Sequence, residues 1–330
     1  WRWTIVPNIR DLVDYVENND WAFAQGHRLC PGCNAPMVAN WATLAAKSLG
    51  YEPVVGVATG CLEVSTSIFP YTSWNVPYIH NAFENVAATI SGVESAYRSL
   101  RNRKKIDNDK IKFIAIGGDG GTYDIGLQSL SGAIERGHDF VYILYDNEGY
   151  MNTGNQRSGS TPPGADSTTE PLGKASSGKL QLKKSIVDII AGHEGVYAAT
   201  AVTSEPWDFM KKMQEALEFP GPAFIAVLAP CVRFWRIPDD SGVEVTKLAV
   251  ETKYWPLWQY NMGVYKVTKK PKTFKPVKEY ITKLGRYNKL MKRPDANEII
   301  EELQNYVNAK WDRLLALEEI TKDKPIRTKI

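Results

Sequence analysis

The sequence predicts an α/β protein built on a mainly parallel sheet flanked by helices. The runs KFIAIGG and FVYILYD are continuously apolar, as expected of strands that are buried on both faces. Between them lies DIGLQSLSGAIERG, which has helical spacing of its apolar residues and ends at Gly137. The glycine-rich turn GGDGG joins the first strand to this helix. A strand, a turn, a helix and a second strand form the βαβ unit of a parallel sheet, so we expect a ligand site at the carboxyl ends of the strands.

Other elements follow along the chain. Helices are predicted at 9–18, 36–50 and 81–100, the last from the spacing of Phe83, Val86 and Ile90. A strand is predicted at 51–60, and a second βα pattern occupies 186–231. Residues 152–179 form a long loop rich in Gly, Ser, Thr and Pro directly after a strand, which is a position typical of functional loops. Residues 296–319 are predicted to form an exposed terminal helix or arm.

Composition excludes several classes of function. With 43% hydrophobic and 23% charged residues, the chain has the composition of an ordinary globular protein. A net charge of +3 is too small to indicate binding to nucleic acid. No apolar run approaches the roughly 18 residues of a membrane helix, and the first residues lack the pattern of a secretory signal. We expect a cytoplasmic protein with no membrane span and no nucleic-acid partner.

The motifs GGDGG and DNEGYMN are the first candidate for a chemical site. Glycines after a strand let the backbone approach a diphosphate closely, and the following helix offers its N–H groups. Asp119 lies where a carboxylate would hold a divalent metal beside that diphosphate. Asn147 follows one helix and one strand later and would supply a second oxygen, with the backbone carbonyl of Gly149 as a third. GDG alone is common in turns, but in combination with this asparagine it resembles the diphosphate and magnesium motif of thiamine diphosphate enzymes.

Four cysteines, Cys30, Cys33, Cys61 and Cys231, are the second group of candidate ligands. The first two share the turn CPGC, and each of the others follows a predicted strand. Thiolates so placed suit a structural zinc, a four-iron cluster or, for CPGC, a redox dithiol. Structural zinc sites usually combine two close pairs, whereas Cys61 and Cys231 are far apart in the sequence, which favours the cluster. Spacing alone does not separate these alternatives.

Four segments together resemble the β subunits of the 2-oxoacid:ferredoxin oxidoreductases, in particular pyruvate:ferredoxin oxidoreductase. They are GHRLCPGCNAP, ATGCLEVSTSIFPYTSWNVPYIHNAFENVAA, GGDGGTYDIGLQSLSGAIERGHD and YDNEGYMNTGNQRSGSTPPG. The resemblance covers about residues 26–256 and implies the thiamine diphosphate-binding fold with a C-terminal extension. The expected division is an N-terminal segment at 1–25, a cofactor domain that carries the cluster ligands at 26–262, and a helical extension or subunit-contact arm at 263–330.

The resemblance also assigns roles to individual residues. It makes the four cysteines the ligands of one 4Fe-4S cluster, and it makes Asp119, Asn147 and the carbonyl of Gly149 the magnesium ligands. Asn152 would lie near the reacting carbons. The residues implied to contact thiamine diphosphate are Gly60, Cys61, Gly118, Asp119, Gly120, Gly121, Thr122, Asn147, Gly149 and Tyr150.

The implied activity is the coenzyme A-dependent oxidative decarboxylation of a 2-oxoacid. Electrons would pass singly through the cluster to ferredoxin. The implied partners are alpha, gamma and ferredoxin-like delta subunits, one of which supplies a catalytic glutamate, so we expect the isolated chain to be inactive. Pyruvate is the default substrate, and a branched-chain, aromatic or other 2-oxoacid such as oxalate is the alternative. The segment CVRFWR departs from the small Pro-Thr-Gly sequence expected in pyruvate enzymes. A zinc-stabilised binding module is the alternative from another class.

Overall fold

The computed structural model describes residues 21–173, 176 and 178–326, and its centre is one eight-stranded sheet. The predicted helix at 9–18 lies outside the described residues. The strands are β1 Glu52–Ala58, β2 Tyr78–Asn81, β3 Ile111–Gly118, β4 Val141–Asp146, β5 Tyr197–Val202, β6 Ala223–Leu228, β7 Leu257–Asn261 and β8 Val264–Lys269. The helices are α1 Ala35–Ser48, α2 Cys61–Thr66, α3 Val86–Asn102, α4 Leu127–Glu135, α5 Ile186–Ala191, α6 Pro206–Glu218, α7 Val232–Trp235, α8 Gly242–Glu251, α9 Val277–Thr282 and α10 Ala296–Thr321.

The sheet is parallel except for its last two strands. Its strand order is β2-β1-β3-β4-β6-β5-β7-β8, and only β7 and β8 run antiparallel to their neighbours. Every residue of β4, β5 and β6 is buried, which confirms the interpretation of their apolar runs. Side chains alternate between the faces, so Ile114 and Ile116 contribute to one core and Phe113 and Ala115 to the other.

Helices cover both faces of the sheet. Buried residues of α1 and α6 form the core on one face. Buried residues of α3, α4, α5, α8, α9 and α10 form the core on the other face. This arrangement confirms the predicted fold class, in which helices flank a mainly parallel sheet.

Two helix boundaries differ from the prediction. The helix expected at 81–100 begins at Val86, because β2 ends at Asn81 and pairs with β1. Phe83 therefore precedes the helix instead of lying on its apolar face. The helix expected from residue 124 begins at Leu127, and a π-helical turn, Gly120–Ile125, joins it to β3.

The C-terminal helix is not the exposed arm that the sequence predicts. It buries Ile300, Leu303, Val307, Trp311 and Leu314, which follow helical spacing along one side. The same side contributes to the core beneath the sheet. The expected domain boundary after residue 262 falls in the turn between β7 and β8, so the last strand of the sheet lies beyond it. Among the described helices, none is sufficiently long and apolar to cross a membrane.

Replacing Leu303 with Ala should lower the free energy of unfolding by about 2–5 kcal/mol, because the side chain is 5% exposed and its loss leaves a cavity. Asp312→Ala, on the exposed side of α10, is the matched control and should change it by less than about 0.5 kcal/mol. Guanidinium unfolding followed by circular dichroism measures both. Equal losses in the two variants would contradict the buried position of Leu303.

Candidate cofactor and cluster site

The candidate site is a cleft at the carboxyl ends of β1, β3 and β4. Because these strands are parallel, the turns that follow them meet at one edge of the sheet. The cleft is lined by Thr59, Gly60, Cys61, Phe83, Gly118, Asp119, Gly120, Gly121, Tyr145, Asn147, Gly149, Tyr150, Met151, Asn152 and Thr153. All but one of the residues expected to contact the cofactor lie there.

Asp119, Asn147 and Gly149 converge at the base of the cleft. One end of the Asn147 amide lies 2.7 Å from Asp119 Oδ1 and 3.0 Å from the carbonyl oxygen of Gly149. Without a cation, the amide nitrogen would donate to both oxygens. With a cation, the amide oxygen would turn inward and complete a set of three hard oxygen donors. The donor set therefore fits a magnesium ion.

The electrostatics of Asp119 also favour a cation. Its side chain is buried, and its Oδ2 accepts a hydrogen bond from the Ser158 hydroxyl. Burial raises the pKa of Asp119 well above its usual range, and the nearby Asp146 carboxylate raises it further. A buried carboxylate in this setting is costly to ionise unless a positive charge lies beside it. A bound divalent ion would supply that charge.

The glycines of the cleft allow close packing of aromatic side chains. A Cβ atom at Gly60 would lie 2.6 Å from the Tyr145 hydroxyl, and one at Gly120 would overlap the Tyr150 ring. The Tyr150 hydroxyl donates to the carbonyl oxygen of Gly120 at 2.9 Å, which ties the turn after β4 to the turn after β3. The backbone of the glycine turn is thereby fixed at the cleft wall.

Thr122 does not line the cleft. Its hydroxyl is buried, donates to the carbonyl oxygen of Gly118 at 2.7 Å, and lies 2.9 Å from the Tyr142 hydroxyl. The π-helical turn directs this side chain into the protein interior. Asn152, by contrast, is exposed and lines the cleft, where a substrate could reach its amide.

The four cysteines face a common region at the same edge of the sheet. All four are free thiols. Burial raises the pKa of Cys33 to about 12, with smaller contributions from the charges of Cys231, Cys61 and Cys30, so all four lie within electrostatic reach of one another. Cys61 also lines the cleft. In the described part of the chain, no three Cys, His, Asp or Glu side chains lie close enough to hold one metal ion.

Local contacts explain how the cysteines are brought together. The amide of Cys33 donates to the carbonyl oxygen of Cys30 at 3.1 Å, which closes the CPGC turn. Gly32 within it has φ of +73°, a conformation that favours glycine. The next amide, that of Asn34, donates to the carbonyl of Pro230 at 3.4 Å, so the turn lies beside Cys231.

Sequence reasoning missed a buried network behind the cleft. We call residues 146–149 the β4 turn, and its carboxylates Asp146 and Glu148 are both fully buried. Lys183 pairs with both of them, at 2.8 and 3.0 Å, and Arg286 pairs with Glu148. Burial raises the pKa of Glu148, but the charges of Lys183 and Arg286 outweigh this effect and lower the pKa to about 2.

The long loop completes this network. The Ser160 hydroxyl donates to Asp146, and the Thr161 hydroxyl donates to the carbonyl oxygen of Glu148 at 2.7 Å. Lys179, which is buried, donates to backbone carbonyls of Ser158 and Thr161. The richness of this loop in serine and threonine was the sequence signal for these contacts, because their hydroxyl groups serve as local hydrogen-bond donors.

Comparison with known proteins agrees with this geometry. Residues 58–227 match the family described as thiamine pyrophosphate enzyme, C-terminal TPP binding domain. The chain is 65% identical to pyruvate synthase subunit PorB of Thermotoga maritima, over 97% of this chain and 99% of that protein. The chain is a β subunit of the 2-oxoacid:ferredoxin oxidoreductase family. Members of this family are oxidoreductases.

Other relatives of this β subunit differ in their named substrates. Pyruvate synthase subunit PorB of Methanocaldococcus jannaschii is 50% identical over 89% of this chain and 96% of its own length. Ketoisovalerate oxidoreductase subunit VorB of Pyrococcus horikoshii is 42% identical over 94% of this chain and 96% of its own. The structure of the 2-oxoglutarate:ferredoxin oxidoreductase from Magnetococcus marinus has a TM-score of 0.53 and 21% identity, covering 70% of this chain and 79% of that chain. This last likeness concerns the fold alone.

Replacing Gly120 with Ala should destabilise the β subunit by about 1–3 kcal/mol, because the added methyl group overlaps the Tyr150 ring. Gly92→Ala is the control: this glycine is in α3, and an added Cβ there meets nothing within 4 Å. That change should stabilise by about 0.5–1 kcal/mol. Thermal unfolding compares them, and an unchanged midpoint for the Gly120 variant would contradict the packing described.

Proposed function

We propose that this chain is the β subunit of a pyruvate:ferredoxin oxidoreductase and binds thiamine diphosphate, magnesium and one 4Fe-4S cluster. The observation that carries the proposal is the convergence of Asp119, Asn147 and Gly149 at the sheet edge that also holds the four thiols. Pyruvate is supported by the relatives named pyruvate synthase, which include the 65% identical Thermotoga maritima protein.

In this proposal each group of residues has a distinct task. Asp119, Asn147 and the carbonyl of Gly149 would hold a magnesium ion, whose charge would offset that of the diphosphate. Asn152 donates its amide N–H to an oxygen of the substrate. Thiamine diphosphate, when bound, would supply an electron sink for loss of carbon dioxide, and the four cysteines would hold a cluster able to take up single electrons.

Partners complete the proposed enzyme. Coenzyme A takes the acyl group, ferredoxin takes the electrons, and alpha, gamma and delta subunits or their fused equivalents complete the complex. The four free cysteines fit a reducing compartment, which supports a cytoplasmic location. The 42% identical ketoisovalerate relative supports a second candidate within the same chemistry, a branched-chain 2-oxoacid. A panel of 2-oxoacids assayed with the complex distinguishes them, and a higher kcat/KM for a branched acid than for pyruvate would overturn the pyruvate assignment.

Asp119→Asn should weaken retention of thiamine diphosphate and magnesium by at least about 100-fold, because it removes the charged metal ligand. The control is Asp107→Asn, an exposed loop carboxylate that should leave retention unchanged. Cofactor content of the desalted complex, measured by fluorescence after oxidation to thiochrome, provides the readout. Retention equal to that of the control would overturn the magnesium assignment.

Cys231→Ser should lower the iron and acid-labile sulfide content of the anaerobically purified complex and bleach its cluster absorption. The Asp119→Asn variant serves as the control, because it should keep its iron while losing the cofactor. A colourless wild-type β subunit that contains zinc and no iron would contradict the cluster assignment and favour the zinc-stabilised binding module.

A further inference from the structure

In the β4 turn, residues that line the cleft alternate with residues that are buried in the protein. Asn147 and Gly149 direct oxygen-bearing groups toward Asp119 in the cleft. Asp146 and Glu148, which flank Asn147, are fully buried and do not line the cleft. Glu148 has φ of +70°, a backbone conformation that a non-glycine residue rarely adopts and that persists only when its surroundings compel it. The contacts of Glu148 therefore decide where Asn147 and Gly149 lie.

Those contacts converge on the Glu148 carboxylate from three elements. Lys183 Nζ lies 3.0 Å from Oε1, and the Tyr254 hydroxyl donates to the same atom at 2.6 Å. Arg286 Nη2 pairs with Oε2. Lys183 also forms an ion pair with Asp146, whereas the carboxylate that pairs with Arg286 is that of Glu148. Glu148 therefore shares Lys183 with Asp146 but does not share Arg286 with it.

Arg286 is itself held by aromatic rings. It is fully buried, and its guanidinium lies 4.5 Å from the Trp235 ring centroid and 5.3 and 5.4 Å from those of Tyr287 and Phe234. Within the described part of the chain, its Nε and Nη1 have no hydrogen-bond acceptor. The position of this group is therefore set by the rings and by Glu148.

Trp235 connects the Arg286 guanidinium to the candidate metal ligands and to the candidate cluster ligands. Its indole Nε1 donates to the carbonyl oxygen of Asn147 at 2.8 Å. Its backbone amide donates to the carbonyl oxygen of Cys231 at 2.9 Å. The ring under Arg286 therefore contacts the backbone of a candidate metal ligand and lies on the helix that follows a candidate cluster ligand.

We propose that Arg286, from the C-terminal segment, is a positioning residue that holds the β4 turn in the conformation that binds the metal and diphosphate. It acts through Glu148 and through the Trp235 ring, and it contacts no ligand itself. This inference rests on the proposed function, since it concerns the affinity of the same site. It assigns the C-terminal segment a role in cofactor binding, in addition to closing the core.

The test uses a double variant, Arg286→Met with Glu148→Gln, in the assembled complex. Arg286→Met alone would leave two buried carboxylates, Asp146 and Glu148, to share the Lys183 cation and is expected to impair folding. The double variant removes both charges and keeps side chains of similar length. Its dissociation constant for thiamine diphosphate, measured by tryptophan fluorescence at fixed magnesium, should rise by about 10-fold or more.

The control is an ion pair on the other face of the sheet, between the buried Lys212 and the partly exposed Asp208. The double variant Lys212→Met with Asp208→Asn should lower the thermal midpoint without changing the dissociation constant. If Arg286 had a merely structural role, both double variants would lower the thermal midpoint and leave the dissociation constant for thiamine diphosphate unchanged. A dissociation constant of the Arg286 variant within about twofold of wild type would overturn the positioning role. Failure of the wild-type complex to bind thiamine diphosphate would overturn the proposed function instead.

Discussion

The common direction of β1, β3, β4 and β6 determines where the chemistry of this protein can occur. Since these strands are parallel, the turns that follow them, at residues 59–61, 119–121, 147–153 and 229–231, emerge at one edge of the sheet. Each turn carries one part of the candidate site. Residues that are distant in sequence are brought together by the hydrogen-bonded register of the sheet, and not by any local motif. A strand of reversed direction at any of these positions would carry its ligand to the opposite edge.

Burial of charge is the second constraint on the site. Three carboxylates, Asp119, Asp146 and Glu148, lie together in the interior, and two cations, Lys183 and Arg286, accompany them. The two cations pair with Asp146 and Glu148, whereas the polar groups described beside Asp119 are neutral, the Ser158 hydroxyl and the Asn147 amide, and burial raises its pKa. The carboxylate in excess of the two cations is therefore Asp119, which lines the cleft. A cation arriving there would offset the desolvation of Asp119, which is why the donor set suits a metal ion better than a neutral ligand.

The sequence predicts those parts of the fold and site that depend on local pattern. Asp119 and Asn147 could be found because each follows an apolar strand directly, and the cysteines because they are few and lie at turns. Thr122 lies outside the cleft, because it belongs to a π-helical turn and its hydroxyl donates to the carbonyl oxygen of Gly118; its contact with the cofactor stays a prediction. The sequence predicts the helix at 296–319, but its buried side depends on packing against the sheet, which a local pattern does not reveal.

The pairing of Arg286 with Glu148 could not be predicted from the sequence, for a different reason. It is separated from Glu148 by 138 residues and belongs to a basic stretch of the kind that usually faces water. Only the tertiary structure identifies the buried carboxylate opposite it. Long-range pairs of this kind leave no periodic signal along the chain.

The position of Cys61 explains why a cofactor and a cluster would share one subunit. It follows Gly60 at the end of β1 and lines the cleft beside the glycine turn, and the charges of Cys231, Cys30 and Asp119 add to the effect of burial in raising the pKa of its thiol. On the proposed function, Cys61 would hold the cluster and also line the cleft for the cofactor. The remaining cysteines come from turns after other segments, so the cluster would also tie the CPGC turn and the end of β6 to the wall of the cofactor cleft. Loss of the cluster would therefore loosen the cleft as well as remove the electron acceptor, because both depend on the same turn after β1.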